Sequence, residues 1–122
     1  MESRLKIRFD QGPAGVGTWF DEASDMIVAE DISSVPAALD ALEAARRKGK
    51  WVAGYASYEM GYALEERLQP KMPECRRLPL LCFGVFDAPQ TRALQRGDAS
   101  LSTPEPRWPE ARYQQAFERV KA

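Results

Sequence analysis

The stretch SSVPAALDALEAARRKGKWVAGYASY, from Ser33 to Tyr58, decides the fold because it joins a helix signal directly to a strand signal. Ser33 and Ser34 suit an N-terminal cap, and Pro36 suits the first turn of a helix. The basic run before Gly49 is typical of a helix end. The apolar residues at the helical period are Val35, Ala38, Leu39, Leu42 and Ala45.

The second half of this stretch, WVAGYASY, is apolar on both faces. A later run, LPLLCFGVF at 78–86, has the same character. Both patterns are typical of central strands in a sheet that is covered on its two sides. We therefore expect these two strands to lie in the middle of the fold.

The rest of the chain predicts shorter elements. Residues 5–9 alternate between apolar and polar, as a half-buried strand does, and MIVA at 26–29 reads as another strand. A short helix is predicted over 61–68 and a loop over 69–77. The Pro-, Gly- and Ser-rich segment 87–109 predicts a surface connection with a short strand near 99–102.

Together these signals predict an α+β fold. We expect a mostly antiparallel sheet built from residues 3–10, 26–30, 51–58 and 79–87, with one main helix, 34–48, packed on one face. The chain has 122 residues, which suits one compact domain. We place that domain at 1–105, and a linker with the first helix of a further domain at 106–122.

Composition removes several classes of function. The chain has no histidine, which excludes Ser-His-Asp and Cys-His catalysis and histidine-ligated metals. Its net charge of −1 and mixed charges do not predict a nucleic-acid partner. No run is long enough to cross a membrane, and the N-terminus does not resemble a signal peptide. Cys75 and Cys82 read as unpaired thiols, so we expect a cytoplasmic protein.

A second helix is predicted over 110–122, with apolar residues recurring at the helical period on one face: Tyr113, Ala116, Phe117 and Val120. No Gly, Asn or Pro ends this helix, so we expect it to continue in a longer polypeptide. Tyr113, Phe117 and Val120 are the predicted interface residues. In an isolated chain such a stripe favours association, so we expect a homodimer or the exchange of a strand or helix.

Several stretches in order resemble the N-terminal region of aminodeoxychorismate synthase component I, a relative of anthranilate synthase component I. They are WFDEA (19–23) with MIVA (26–29), VPAALDALEAARRKGKWVAGY (35–55), ASYEMGYALE (56–65), LPLLCFGVFD (78–87) and YQQAFERVK (113–121). The resemblance implies one half of the two-layer core of that family. It also implies a parent enzyme that makes 4-amino-4-deoxychorismate from chorismate and ammonia, for para-aminobenzoate and folate biosynthesis.

The resemblance implies that the catalytic machinery lies elsewhere. In the family, the chorismate and magnesium ligands belong to a C-terminal chorismate-binding domain, and a glutamine amidotransferase, component II, supplies ammonia. No catalytic residue, metal ligand or cofactor is therefore assigned to this chain, which alone should not turn over substrate. Its role would be structural and regulatory. The alternative is a stand-alone small-ligand-binding or dimeric interaction domain without enzymatic activity.

The resemblance also implies a tryptophan-type pocket, for which the candidate residues are Phe20, Asp21, Glu22, Ser57 and Tyr58. Asp21 would hold an ammonium group, although Glu22 stands where the family has serine, and Trp19 and Phe20 are bulkier than the family's leucines. The alternatives stay open: Asp21 and Glu22 as solvated residues, and Tyr58 packed in the core with its hydroxyl hydrogen-bonded.

Overall fold

The structure, a computed structural model, describes residues 5–13, 15, 17–93 and 97–122. Two 3₁₀ turns, Ile32–Ser34 and Glu66–Lys71, accompany the regular helices and strands. The strands are β1 (Ile7–Phe9), β2 (Thr18–Phe20), β3 (Asp25–Ala29), β4 (Trp51–Ala56), β5 (Leu81–Phe86) and β6 (Gln90–Thr91), and the helices are α1 (Val35–Arg47), α2 (Met60–Leu64) and α3 (Glu110–Lys121).

The strands form two antiparallel sheets, which confirms the α+β class but corrects the single sheet expected from the sequence. The first sheet has the order β1-β2-β6, and the second sheet has the order β3-β5-β4. The predicted strand 3–10 is described only from residue 5 and is regular over Ile7–Phe9. It belongs to the first sheet because it pairs with β2, a strand that the sequence analysis did not predict.

Helix α1 covers one face of the second sheet, as predicted. The register sets Ile27 opposite Phe83 and Ala29 opposite Leu81, so these side chains share that face. The helix contributes Val35 and Ala38, while Leu39 is 39% exposed and does not join the core as predicted. The buried members of this core are Ile27, Ala29, Val35, Ala38, Met60, Leu80, Leu81 and Val85.

The first sheet covers only part of the opposite face. Its Phe20 packs with Ala53 and Phe86 in a second, smaller core, with Leu5 and Ile7 at its margin. The contact lies at the end of the second sheet where Trp51 pairs with Phe86. The other large side chains on this face are partly exposed: Met26, Val28, Tyr55 and Cys82.

The position of β4 corrects a second expectation. Strand β5 is central, as predicted, but β4 is an edge strand because it pairs with β5 alone. Trp51 and Tyr55 are correspondingly 40% and 37% exposed. An apolar run on both faces therefore does not mean a central strand here. Within β4 only Ala53 is buried, and it packs against Phe20 and Phe86 on the side of the first sheet.

Hydrogen bonds from residues next to α1 determine where the helix begins and ends. At the C-terminus, Gly49 takes φ = +75° and donates to the Arg46 carbonyl, and Lys50 donates to the Ala45 carbonyl. This is the Schellman arrangement and confirms the predicted stop. At the N-terminus, the predicted caps Ser33 and Ser34 do not cap α1 with their side chains. Asp31 instead caps the preceding 3₁₀ turn and accepts from the Ser34 amide at 2.9 Å.

Two further predictions need correction. The short helix expected over 61–68 is split into α2 and the 3₁₀ turn Glu66–Lys71, which extends into the predicted loop. The strand expected near 99–102 is absent, since the described residues 97–106 form neither helix nor strand. The helix expected over 110–122 is confirmed as α3.

Candidate functional site

Phe20, the first predicted pocket residue, belongs to the core. Only 2% of it is exposed. Its ring centroid lies 5.2 Å from that of Phe86, 6.0 Å from that of Phe9 and 6.2 Å from that of Trp51. Aromatic rings at these separations attract one another through packing and quadrupole contacts. The side chain of Phe20 therefore joins the two sheets.

Trp19 points to the other side of β2 because successive strand residues face opposite ways. Its ring lies between two guanidinium groups, Arg8 at 5.5 Å and Arg92 at 5.6 Å from the ring centroid. Both are within reach of a cation–π attraction. Its buried Nε1 has no hydrogen-bond partner within the described ranges. Trp19 and Phe20 thus cannot line the same wall of a pocket.

The carboxylate of Asp21 already has an ammonium neighbour. Lys6 Nζ lies 3.7 Å from Asp21 Oδ2, and the aspartate side chain is 17% exposed while the lysine side chain is 61% exposed. Asp21 Oδ1 also accepts from the Glu22 amide at 3.0 Å. An amine ligand would compete with Lys6 for this carboxylate. Glu22 is exposed and takes φ = +57°, a region that non-glycine residues rarely adopt.

Ser57 and Tyr58 lie at the other end of the second sheet. Ser57 follows β4 and donates its amide to the Leu80 carbonyl at 2.9 Å. Phe20 contacts Trp51 at the start of β4. The six residues of β4 separate this contact from Ser57 by about 17–20 Å. Tyr58 is 88% exposed, so the alternative that it packs in the core is wrong.

The structure thus divides the five predicted pocket residues into two groups. Phe20, Asp21 and Glu22 lie where the first sheet meets the second, and Ser57 with Tyr58 lie beyond the far end of β4. The two groups do not share a cavity wall. Two of the five positions, Asp21 and Glu22, carry a carboxylate; the one at Asp21 is the less exposed and already pairs with Lys6.

A more extensive surface lies on the second sheet, opposite α1. We call it the open face and define it as Met26, Val28, Tyr55 and Cys82. Val28 and Tyr55 both pair with Cys82, so the three side chains form one row across three strands. Met26 and Val28 are each 42% exposed. Exposed apolar side chains in a contiguous group are typical of a docking surface.

The open face has two polar groups, the Cys82 thiol and the Tyr55 hydroxyl, and both are uncharged at neutral pH. Partial burial, and then the charge of nearby Glu30, raise the pKa of the Cys82 thiol. Partial burial, followed by Cys82 and Glu30, also raises the pKa of the Tyr55 hydroxyl. Both groups are therefore uncharged at neutral pH, which suits an apolar contact better than chemistry by a thiolate.

Helix α3 carries the second exposed apolar surface, and this was predicted. We call its residues Tyr113, Phe117 and Val120 the apolar stripe. They are 65%, 49% and 89% exposed. None of the residues of α3, all of which are described, is buried. The helix is preceded by Trp108, whose ring lies 4.4 Å from the Arg112 guanidinium carbon.

The sequence analysis did not identify the open face, because the exposed and buried residues of β3 are alike in polarity. In DMIVA, Ile27 and Ala29 are buried while the alternate residues Met26 and Val28 are exposed, which is the period-two pattern of a strand. All four side chains are apolar, so the alternation is invisible in polarity. Only the pairing of three strands showed that their outward residues form one surface.

Searches for other functional signals gave nothing further. Within the described ranges, no group of three or more Cys, Asp or Glu side chains is placed to hold a metal ion. None of the helices in these ranges has the length and apolar character needed to span a membrane. No family model matches the chain, and no curated protein or solved structure matches it.

Proposed function

We propose that this chain is the N-terminal scaffold portion of an aminodeoxychorismate synthase component I. In this proposal it supports, without performing, the conversion of chorismate and ammonia to 4-amino-4-deoxychorismate. The observation that carries the proposal is the open face. Its apolar residues lie on a sheet that is packed on its other side by α1, and the motifs that resemble the family run through the same strands.

The physical argument is that a sheet needs apolar cover on both faces. Layers of secondary structure are stable when each apolar face is buried against another layer. The second sheet has a larger apolar cover, from α1, and a smaller one, from the first sheet. A chorismate-binding domain packed on the open face would complete the second cover. The apolar stripe of α3 would be buried against the same domain.

Other components of the proposal belong outside this chain. Magnesium and chorismate would bind the chorismate-binding domain, and a glutamine amidotransferase would supply ammonia to it. The whole assembly would work in the cytoplasm. For this chain the proposal assigns only contact surfaces, the open face and the apolar stripe.

A direct test is titration of the separately purified chorismate-binding half of an aminodeoxychorismate synthase component I with this chain. We expect a one-to-one complex, and a rise in ammonia-dependent formation of 4-amino-4-deoxychorismate that neither part gives alone. Val28→Lys should abolish both, because it buries an unpaired charge in the contact. Gln115→Lys, on the polar side of α3, is the matched control and should leave both intact.

Failure of the folded wild-type chain to bind or to raise activity would contradict the proposal. The chain's own fold is checked in parallel by its circular dichroism and by cooperative unfolding in urea. Because Val28 is 42% exposed, the lysine variant should remain folded.

The geometry favours the scaffold role over a regulatory tryptophan site. Phe20 fills the space between the two sheets, and Trp19 points to the opposite side of β2. The carboxylate of Asp21 already forms an ion pair with Lys6. Calorimetric titration with L-tryptophan should therefore give no saturable heat at millimolar ligand. Saturable binding that is lost in Asp21→Ala would instead establish an amine site and restore the regulatory role.

A second candidate function, a stand-alone dimeric interaction domain, is favoured by one specific observation. The chain carries two separate exposed apolar surfaces, the open face and the apolar stripe, which could be each other's partners.

A further inference from the structure

We propose that two copies of this chain exchange their α3 helices, so that the apolar stripe of each copy seats on the open face of the other. The inference deepens the second candidate function, the dimeric interaction domain, on which it rests. It is an alternative to the scaffold role, because a second copy seated on the open face leaves no room there for a chorismate-binding domain. Its occupant is a second copy of this chain. The reasons are the match in size, the match in charge and the reach of the segment before α3.

The two surfaces match in size. The apolar stripe runs from Tyr113 to Val120, which is about 10 Å along a helix at 1.5 Å per residue. The row formed by Val28, Cys82 and Tyr55 crosses two strand spacings, or about 10 Å. Aromatic side chains of the stripe thus meet a row of comparable length whose members are apolar or uncharged at neutral pH.

The charges beside the two surfaces are opposite. Arg112 and Arg119 are seven residues apart and flank the same side of the stripe at the helical period. Beside the row on the sheet, the exposed Glu30 comes directly after β3 and two residues after Val28, which on the strand's period of two is the side of the open face. A docked helix can therefore set an arginine against Glu30, which selects its orientation.

The segment before α3 allows exchange between copies. Residues 92–109 separate β6 from α3, and 18 extended residues can span up to about 60 Å. In the structure, α3 lies with its stripe exposed rather than on its own open face. Exchange of an identical element is a low-cost route to a symmetric dimer, because each contact occurs twice.

An exchange of both helices also doubles the contact area between the two copies. A helix of 12 residues offers a contact of roughly 18 Å by 10 Å. That is small beside the ~800 Å² per partner that is usual for a stable interface. Two such contacts, each burying both a helix and a sheet surface, cover roughly 360 Å² per partner, so we expect a weak dimer that forms only at high concentration.

The first experiment is sedimentation of the full chain over a range of concentrations. We expect a mass that approaches twice the 13.7 kDa of one chain. Phe117→Asp should shift the protein to monomer, and so should Val28→Lys. The matched control Gln115→Asp, on the polar side of α3, should leave the dimer unchanged. All three changes are at exposed side chains, and unfolding in urea checks that each variant stays folded.

The second experiment distinguishes helix exchange from other arrangements by disulfide formation. One chain carries Cys75→Ser and keeps Cys82, and the other carries Cys75→Ser, Cys82→Ser and Phe117→Cys. After mixing and mild oxidation we expect a cross-linked heterodimer between Cys82 and position 117. A mutant with Gln115→Cys in place of Phe117→Cys is the matched control and should cross-link at least about tenfold less, since it faces away.

Three outcomes overturn the proposal. A monomer at all concentrations excludes the dimer. A dimer that forms no cross-link uses a different surface. A single chain with Cys75→Ser and Phe117→Cys that closes an internal disulfide, while the mixed chains form no heterodimer, shows that α3 docks on its own sheet instead.

Discussion

The two faces of the second sheet are both apolar, but their side chains differ in how far they are exposed. On the face toward α1, Ala29 and Leu81 are 0% and 1% exposed. One residue along the same strands, Val28 is 42% exposed and Cys82 is half-buried. Both faces are apolar, but the core under α1 is the larger, and on the other face only Ala53 and Phe86 are buried, under Phe20. The difference teaches that the α1 side provides stability and that the open face is available for a partner.

The largest expected effect tests this comparison with a matched pair of substitutions. Leu81→Ala, on the face toward α1, should lower the free energy of unfolding by about 2–5 kcal/mol, because it leaves a cavity in a packed core. Met26→Ala, on the open face, removes a side chain of similar size that is already 42% exposed and should cost less than about 1 kcal/mol.

Urea unfolding of both variants in dilute solution measures the two costs, since dilution keeps a dimer from adding to either. Equal losses at the two positions would mean that the open face is buried in the isolated chain, and would break the comparison.

Parts of this arrangement could be predicted from the sequence because they depend on local patterns. Helix α1 was predicted to within a residue at each end, since its apolar period and Gly49 lie within the segment itself. Strand β5 and helix α3 were recognised for the same reason. The apolar stripe on α3 was visible because polar residues surround it.

Other features could not be predicted, because they depend on pairing between distant segments. Strands β2 and β6 have three and two residues, too few to show a period. β2 forms by pairing with β1 and β6, and β6 by pairing with β2. The edge position of β4 is a matter of strand order, which no local pattern contains. The five predicted pocket residues do not form one group, because Phe20 contacts the start of β4 at Trp51 whereas Ser57 follows the end of β4.

A second prediction concerns how tightly the edge strand β4 is held. A Cβ added at Gly54 would lie 2.1 Å from the Cys82 carbonyl oxygen and 2.6 Å from Phe83 Cα. These are backbone atoms of β5, so the strand pairing itself must shift. Gly54→Ala should therefore cost about 1–3 kcal/mol in the free energy of unfolding.

Its matched control is Gly61→Ala in α2, where a Cβ would meet no described atom within 4 Å. Alanine favours a helix over glycine by about 1 kcal/mol, so this variant should be neutral or more stable. Thermal unfolding of the pair gives the comparison. A neutral Gly54→Ala would show that β4 is loosely paired and that the open face is less well defined than we infer.

The smallest expected effect lies at the start of α1 and depends on pH. The Ser33 hydroxyl, then the Ser34 amide, lower the pKa of Asp31 from its ordinary 3.8. Because the folded pKa is the lower one, the stabilisation is present above pH 3.8 and is lost as the pH falls through the lowered value. Asp31→Ala should therefore be less stable than the wild type near neutral pH.

Urea unfolding of both proteins from neutral pH to about pH 3 measures this difference. It should shrink in the acid range, where the wild-type carboxyl is protonated. A difference that stays constant into acid would mean that the carboxylate charge contributes nothing to the cap.

The most direct test of the open face is the reactivity of Cys82 at its centre. In the Cys75→Ser chain, the rate of alkylation of Cys82 is measured from about 1 µM to about 500 µM protein. If a second copy covers the open face, only the monomer reacts, and the rate should fall by about tenfold over this range. Phe117→Asp should keep the rate high throughout. A rate that is independent of concentration, equal in both proteins, would contradict the claim that the open face is a docking surface for a second copy.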